Sequence, residues 1–200
     1  MCLAMTIVTA KRFIIAEYHR LGELGFFEQH DRVELIRGEI VLLPKNTTLH
    51  SDCYANLLDS LVILLGDRAI VRGQKPIILT DDTETQPDVV VARNREVDDY
   101  LSSEPQPADI LLLVEIADAT LSYDRGEKIS VYAEDGISDY WIFNLVDYCL
   151  EIYNDPYQDS QGRFGYRLRR IVLPNETVGI MGFPEFSLDL WSIFSMQADV

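Results

Sequence analysis

Cysteine, histidine and positive charge are all scarce in this sequence. Its 200 residues contain 3 Cys and 3 His, and 17 Lys and Arg stand against 33 Asp and Glu, so that the formal net charge is −16. Cys2, Cys53 and Cys149 are odd in number and lack CxxC spacing, which fits reduced thiols in a cytoplasmic protein. The excess of negative charge repels nucleic-acid phosphate at long range.

Long hydrophobic runs and low-complexity segments are also missing. The apolar blocks Leu61–Leu65 and Ile110–Val114 are far shorter than the roughly 20 residues of a membrane-spanning helix. The N-terminal stretch MCLAMTIVTAKRF places its basic residues after the apolar part, unlike a secretory signal. We therefore expect a single cytoplasmic domain over residues 1–200 that does not bind membranes, with a flexible N-terminus at 1–9.

Hydrophobic periodicity predicts an alternation of helices and strands. The predicted helices are 10–24, capped by Thr9, then 49–65, 124–134 and 188–194. A β-hairpin is predicted over 34–43 with its turn at Arg37-Gly38, and 81–86 is predicted to be a polar bend. The predicted strands are 69–72, 76–79, 88–92, 110–116, 139–144, 149–153 and 164–172. DVVVA and ILLLVEI are typical of strands covered on both faces, so we predict an α/β (α+β) fold with a mixed central sheet.

Two carboxylates adjoin these apolar strands, where burial is costly. Asp88 begins the run in QPDVVV, and Glu115 lies near the end of LLLVEIA. Oxygen ligands from neighbouring strands suit Mg²⁺ or Mn²⁺, and a bound cation would compensate the desolvated charges. The alternatives are a strand-start residue at Asp88 and a surface residue at Glu115.

Lys128 follows in the segment YDRGEKISVY. A helix returning over the carboxyl ends of the strands could bring its amine to the two carboxylates, where it would orient a water or stabilise a phosphorane-like transition state. A solvated helix residue is the alternative. Asp88, Glu115 and Lys128 together predict phosphodiester hydrolysis.

Segments along almost the whole chain resemble the Uma-type family of restriction endonucleases, within the PD-(D/E)xK nuclease superfamily. The matching pieces are EYHRLGELGFFEQHDRVELIRGEIV (17–41), PKNTTLH (44–50), QKPIIL (74–79), QPDVVV (86–91), LLLVEIADATLSYDRGEKISVYAEDGISDYWIFNL (111–145) and CLEIYNDP (149–156). The block 114–141 is the most specific, because it combines a carboxylate, a YDRG turn, a lysine and a GxxxYW strand. The resemblance implies a restriction-endonuclease-like fold.

The resemblance also implies the roles of the site residues. Asp88 and Glu115 become metal ligands, and the main-chain carbonyl of Ile116 completes the inner coordination sphere. The usual lysine of the superfamily stands two residues after the second carboxylate, where this chain has Ala117. The resemblance therefore assigns the catalytic lysine to the following helix, at Lys128.

Three further positions receive supporting roles from the resemblance. Glu34 is an additional acidic group near the metal ion, or a hairpin-edge carboxylate that pairs with an arginine. His50 contacts phosphate or a metal-bound water, or has a structural role. Asp124 caps the helix and organises the turn that directs Lys128.

Three functional hypotheses follow. The first is an endonuclease that cleaves DNA with Mg²⁺ or Mn²⁺ and gathers its cations near the cleft. The candidate cations are Arg68, Arg72, Arg93, Arg95, Arg163, Arg167, Arg169 and Arg170. The second is an inactive nuclease fold that binds a partner or forms a homodimer through FSLDLWSIF (186–194), a segment that could equally cover the chain's own sheet. The third is a phosphodiesterase acting on RNA or a small nucleotide.

Overall fold

The computed structural model of the protein describes residues 9–95, 100 and 104–194, so the predicted flexible segment 1–9 lies outside it except for Thr9. The helices are α1 (Ile15–Glu23), α2 (Thr48–Leu65), α3 (Leu121–Tyr123), α4 (Ile129–Glu134) and α5 (Leu190–Ile193), with a π-helical turn (Asp124–Lys128) between α3 and α4. The strands are β1 (Arg32–Ile36), β2 (Glu39–Leu43), β3 (Ala69–Gly73), β4 (Ile77–Thr80), β5 (Thr83–Thr85), β6 (Val89–Arg93), β7 (Ile110–Ala117), β8 (Asp139–Asn144), β9 (Cys149–Gln158), β10 (Phe164–Val172), β11 (Thr177–Ile180) and β12 (Phe183–Asp189).

A mixed six-stranded sheet forms the centre of the fold. Its strands are adjacent in the order β10-β9-β8-β7-β6-β3. Strands β7 and β8 run parallel, whereas the other neighbouring pairs are antiparallel. Helices pack on its faces, which confirms the predicted α/β (α+β) class.

Burial on both faces explains the almost continuous apolar sequences of β6 and β7. Successive strand residues point to opposite faces. Val89 and Val91 therefore pack in the cluster that includes α2, whereas Val90 packs in the cluster that includes α4. Helix α2 contributes the buried residues Cys53, Leu57, Leu61 and Leu65. These contacts fix the strand ends at which Asp88 and Glu115 lie.

The predicted hairpin belongs to a second sheet, of order β2-β1-β5-β4. Strands β1 and β2 pair from Arg32 with Leu43 to Ile36 with Glu39. The turn residues Arg37 and Gly38 have φ values of 48° and 76°. Two-residue hairpin turns require this left-handed backbone, so the predicted turn is confirmed.

Two predicted boundaries differ near the N-terminus and before β6. The helix predicted over 10–24 begins only at Ile15, and Thr9 does not cap it. The N–H groups of Phe13 and Ile15 instead donate to the carbonyls of Gly38 and Asp81, which holds the chain against the hairpin. The predicted bend 81–86 contains β5, because Thr83–Thr85 pairs with β1 and β4.

The C-terminal region also differs from the prediction. The helix predicted over 188–194 is reduced to α5, since 183–189 forms β12 and pairs with β11. Asp189 caps α5, and its side chain accepts from the Trp191 N–H at 3.1 Å. Leu188, Leu190, Ile193 and Phe194 are buried with α2. The segment 186–194 thus covers the core of its own chain.

The described helices include none that is long and apolar enough to cross a bilayer. Cys53 and Cys149 are free and buried. Cys53 packs in the core cluster around α2.

Candidate active site

Lys128 lies in the interior between two carboxylates. Its Nζ donates to Glu34 Oε1 at 2.7 Å and to Glu115 Oε1 at 2.9 Å. The side chains of Lys128 and Glu34 are 1% exposed, and that of Glu115 is 6% exposed. Because water is nearly excluded, these charges interact more strongly than they would at the surface.

The π-helical turn and α4 place two polar side chains at Glu115. Lys128 ends the turn, and Tyr132 follows at the (i, i+4) spacing that puts both on one face. The Tyr132 hydroxyl donates to Glu115 Oε1 at 2.6 Å, and Lys128 Nζ donates to the same hydroxyl at 3.1 Å. Such π-helical turns occur frequently at functional sites.

Asp88 contacts the backbone of β7 next to Glu115. Val89 pairs with Val114, so Asp88 lies opposite Glu115 at the end of the two strands. Asp88 Oδ2 accepts from the Ile116 N–H at 2.8 Å. The neighbouring strands β6 and β7 therefore bring the two predicted carboxylates to one edge of the sheet.

His50 and Gln74 also contact Asp88. His50 Nε2 is 3.1 Å from Asp88 Oδ2, and Gln74 Nε2 is 3.4 Å from Oδ1. His50 is 2% exposed, and its Nδ1 has no hydrogen-bond partner among the described residues. Its backbone N–H donates to Thr47 Oγ1 at 3.2 Å, which fixes the first turn of α2. Oδ2 is thus fully engaged, whereas Oδ1 has one long contact.

Burial and mutual charge shift several pKa values. Burial raises the pKa of Glu115 to about 8, an effect that the Lys128 ammonium opposes and the charges of Asp124 and Asp88 strengthen. Burial lowers the pKa of Lys128, but Glu115 and Glu34 outweigh it, so this pKa is raised well above its ordinary value. Burial also raises the pKa of Asp124 to about 6. Carboxylates outnumber the ammonium, so an added cation would lower the pKa of Glu115.

The sequence-predicted residues Asp88, Glu115, Lys128, Glu34 and His50 come together through these contacts. Glu34 pairs with the lysine and not with the arginine considered as an alternative. The assignment of the Ile116 carbonyl to a metal ion stays a prediction, since the contact to Asp88 uses the Ile116 N–H.

Asp124 does not cap the helix, which corrects the prediction. The helical segment begins earlier, at Leu121, and Asp124 lies inside the π-helical turn. Its Oδ2 accepts from Thr120 Oγ1 at 2.6 Å. Asp124 is 3% exposed, and its negative charge contributes to the raised pKa of Lys128.

Sequence reasoning missed Tyr132, Gln74 and Gln86 as members of the site. The Gln74 carbonyl accepts from Gln86 Nε2 at 2.8 Å, and the Gln86 N–H donates to Glu34 Oε1 at 2.8 Å. These bonds link Asp88 to Glu34. The spacing of Lys128 and Tyr132 on one helix face was a usable signal, whereas the two glutamines have no local pattern.

Five of the eight arginines that the sequence offers as candidate cations form ion pairs with carboxylates. The ion pairs are Arg72–Glu104, Arg95–Asp109, Arg163–Asp159, Arg167–Asp155 and Arg169–Glu151. A phosphate would have to compete with these partners. These five arginines are therefore weak candidates for binding nucleic-acid phosphate.

The donor atoms fit a hard divalent cation. Among the described residues, no group of three or more His, Cys, Asp or Glu side chains is arranged to hold a metal ion. Asp88 and Glu115 supply hard oxygen atoms from adjacent strands, and Asp88 Oδ1 has only its long contact with Gln74. Burial raises the pKa of Glu115 to about 8, and a bound cation would favour the charged form of this carboxyl group. Asp88 and Glu115 are the residues that would hold such an ion.

Comparison with known proteins agrees with this fold. The model of the Uma2 family, described as "Putative restriction endonuclease", matches residues 15–191. The crystal structure of "a putative nuclease belonging to DUF820" from Anabaena variabilis ATCC 29413 is similar with a TM-score of 0.67 and 16% sequence identity, over 92% of this chain and 98% of that chain. No curated protein matches the sequence. Because the family match extends over most of its length, this chain belongs to the Uma2 family.

Proposed function

We propose that the protein is an endonuclease of the PD-(D/E)xK type, one domain over residues 1–200, that hydrolyses DNA with Mg²⁺ or Mn²⁺. The observation that carries the proposal is the buried contact of Lys128 with Glu34 and Glu115, at the strand edge where Asp88 lies opposite Glu115. The family description and the nuclease description of the similar structure support this reaction class.

Each residue of the site has a distinct part in this proposal. Asp88 and Glu115 would hold the metal ion, with the Ile116 carbonyl as a further ligand. A bound ion polarises the phosphodiester and lowers the pKa of a water molecule. Lys128 would stabilise negative charge on the phosphoryl oxygens. It would take the role of the superfamily's usual lysine, at whose position this chain has Ala117. The contact of Lys128 Nζ with Glu115 Oε1 at 2.9 Å supports this role.

The remaining groups position these residues. Glu34 holds the Lys128 ammonium at 2.7 Å. His50 engages Asp88 Oδ2 and leaves Oδ1 for the cation. The negative charge of Asp124 helps to keep Lys128 protonated.

Plasmid cleavage tests the reaction. We expect the wild-type protein to nick or linearise plasmid DNA with Mg²⁺ or Mn²⁺, and the rate to fall at least about 100-fold in Asp88→Ala and Lys128→Ala. The variant Arg163→Ala, at an exposed position in the turn before β10, is the control and should keep the wild-type rate. Cleavage that persists in both site variants would indicate a contaminating nuclease. A wild-type protein that never cleaves would favour an inactive nuclease fold.

Calorimetric titration with Mn²⁺ tests the metal site without turnover. We expect heat of binding with the wild-type protein and none with Asp88→Ala, because one of two proposed carboxylate ligands is removed. An unchanged affinity would exclude Asp88 from the site.

We also propose that the protein is a cytoplasmic homodimer. The edge strand β10 exposes Leu168 and Ile171 to 60% and 45%, which supports an intermolecular contact. The free thiols of Cys53 and Cys149 support a reducing compartment. Sedimentation velocity should give twice the monomer mass, and fractionation should recover the protein with cytoplasmic markers. A monomer, or recovery with the cell envelope, would contradict the respective statement.

A further inference from the structure

Six of the 17 lysines and arginines have no carboxylate partner among the described residues. The net charge is −16, and most arginines and lysines contact an Asp or Glu side chain. Within the part of the chain that the structure describes, the cations that form no ion pair are Arg32, Lys45, Arg68, Lys75, Arg93 and Arg170. A phosphate group binds an unpaired cation without displacing a carboxylate, so these residues are the first candidates for contacting a polyanion.

Lys75 is exposed and directly follows Gln74, a residue that contacts Asp88. The Gln74 N–H donates to the main-chain carbonyl of Asp88 at 2.9 Å, and Gln74 Nε2 is 3.4 Å from Asp88 Oδ1. Gln74 has a φ of 48°, a left-handed backbone conformation that is strained for a residue with a side chain. Strained backbone of this kind persists where surrounding contacts hold it, and it is common at functional sites. The strained turn keeps Lys75 beside the proposed metal ligand.

Lys45 is exposed on the loop between β2 and α2. Arg32 holds this loop, since its Nη1 donates to the Pro44 carbonyl at 3.1 Å and to Asn46 Oδ1. Thr47 Oγ1 donates to Asp118 Oδ2 at 2.7 Å. Asp118 follows the end of β7 that carries Glu115, so the loop with Lys45 adjoins the same edge of the sheet.

The other unpaired arginines lie elsewhere. Arg93 ends β6, five residues after Asp88, which is about 16 Å along an extended strand. Arg68 lies beside it, because Ala69 pairs with Arg93. Arg170 is on β10, which β9 and β8 separate from β7. Lys45 and Lys75 are therefore the unpaired, exposed cations that adjoin the site.

We propose that Lys45 and Lys75, which lie on two loops next to Asp88 and Glu115, bind the phosphate backbone of the nucleic-acid substrate. The inference rests on the proposed nuclease function and locates its substrate-binding surface. The N-terminus of α2, capped by Thr47, begins beside Lys45 and adds the positive end of a helix dipole. This local positive charge lets a polyanion bind a chain whose net charge is −16.

The salt dependence of DNA binding tests the surface directly. A short fluorescent duplex is titrated in EDTA by anisotropy, with the wild-type protein and with Lys45→Gln/Lys75→Gln. Each lost phosphate contact lowers the slope of log K against log salt by about 1, so we expect the slope to fall by about 2 for all sequences alike. The matched control Arg68→Gln/Arg93→Gln removes the same charge at the opposite strand end and should keep the wild-type slope.

The outcomes separate this inference from the proposed function. A wild-type slope in the lysine variant, with the arginine control also unchanged, would overturn the lysine surface. A reduced slope in the arginine variant alone would place the nucleic acid at the opposite end of the sheet and would also overturn it. Plasmid cleavage by the wild-type protein in either case would leave the nuclease function intact. A wild-type protein that neither binds nor cleaves DNA would refute both.

Discussion

Replacing Lys128 with methionine tests the charge balance of the site through stability alone. Methionine retains an unbranched apolar side chain and removes the ammonium. Glu34 Oε1 and Glu115 Oε1 then lose donors at 2.7 Å and 2.9 Å. Removal of one partner from a buried ion pair costs about 3–5 kcal/mol, because the remaining charge is left uncompensated. We expect the free energy of unfolding to fall by about this amount at a pH near 9.

The size of this loss has to depend on pH. Burial raises the pKa of Glu115 to about 8 even though Lys128 opposes the rise, so removing Lys128 raises this pKa further. A carboxyl group with a raised pKa in the folded state stabilises the fold below its unfolded-state pKa, whose ordinary value is 4.5. That stabilisation is lost as the pH rises through the folded-state pKa. The free energy of unfolding that Lys128→Met loses relative to the wild-type protein should therefore be small near pH 4.5 and grow toward pH 9.

Urea unfolding at about pH 5, 7 and 9 measures this dependence. The double variant Lys128→Met/Glu115→Gln should recover a large part of the loss at the highest pH, because one of the two stranded carboxylates becomes neutral. Lys75→Met, at an exposed position, is the control and should change stability by no more than about 0.5 kcal/mol. A deficit that is equal at all three pH values would refute the charge-based reasoning. So would a double variant that is no more stable than Lys128→Met.

Three further predictions concern other parts of the molecule. Burial raises the pKa of Glu151, but hydrogen bonds from donors that include Arg125 outweigh burial and lower this pKa from 4.5 to about 2. The ionised Glu151 therefore stabilises the fold above about pH 4.5, and this stabilisation is lost toward pH 2. Glu151→Gln should flatten this acid limb in urea unfolding, and an unchanged limb would contradict the assignment. Gly38→Ala should lower the free energy of unfolding by about 1–2 kcal/mol, because an added Cβ would lie 2.7 Å from Arg12 Cβ and φ is +76°. An unchanged Tm would be the contrary result. The affinity for Mn²⁺ should rise from about pH 6 to 9, and binding should release a proton from Glu115. The reason is that burial raises the pKa of Glu115 to about 8 and a metal ligand must be deprotonated. Calorimetry in buffers of different ionisation enthalpy measures the proton, and affinity independent of pH would count against Glu115 as a ligand.

Local sequence patterns predict the parts of the fold that depend on alternation and turn chemistry. The apolar runs of β6 and β7 require burial on both faces, so they predict central strands, and Arg37-Gly38 predicts a two-residue turn. Asp88 and Glu115 stand at the ends of those runs. Their proximity therefore follows once the two strands pair.

Long-range contacts explain what the sequence does not show. Glu34 and Lys128 are 94 positions apart, and their contact depends on how the hairpin sheet packs against the π-helical turn. Gln74 and Gln86 enter the site through backbone and amide hydrogen bonds that leave no periodic signal. The short strand β5 is set by its partners in the same way.

The sequence by itself determined the class of fold, the excess of negative charge and the residue types available for chemistry. The tertiary structure decided which carboxylates share Lys128 and which cations are already neutralised. The physical reason is that hydrophobic patterning acts over neighbouring residues and can be read along the chain. Ion pairs and buried hydrogen bonds depend instead on distances of about 3 Å between atoms that only folding brings together.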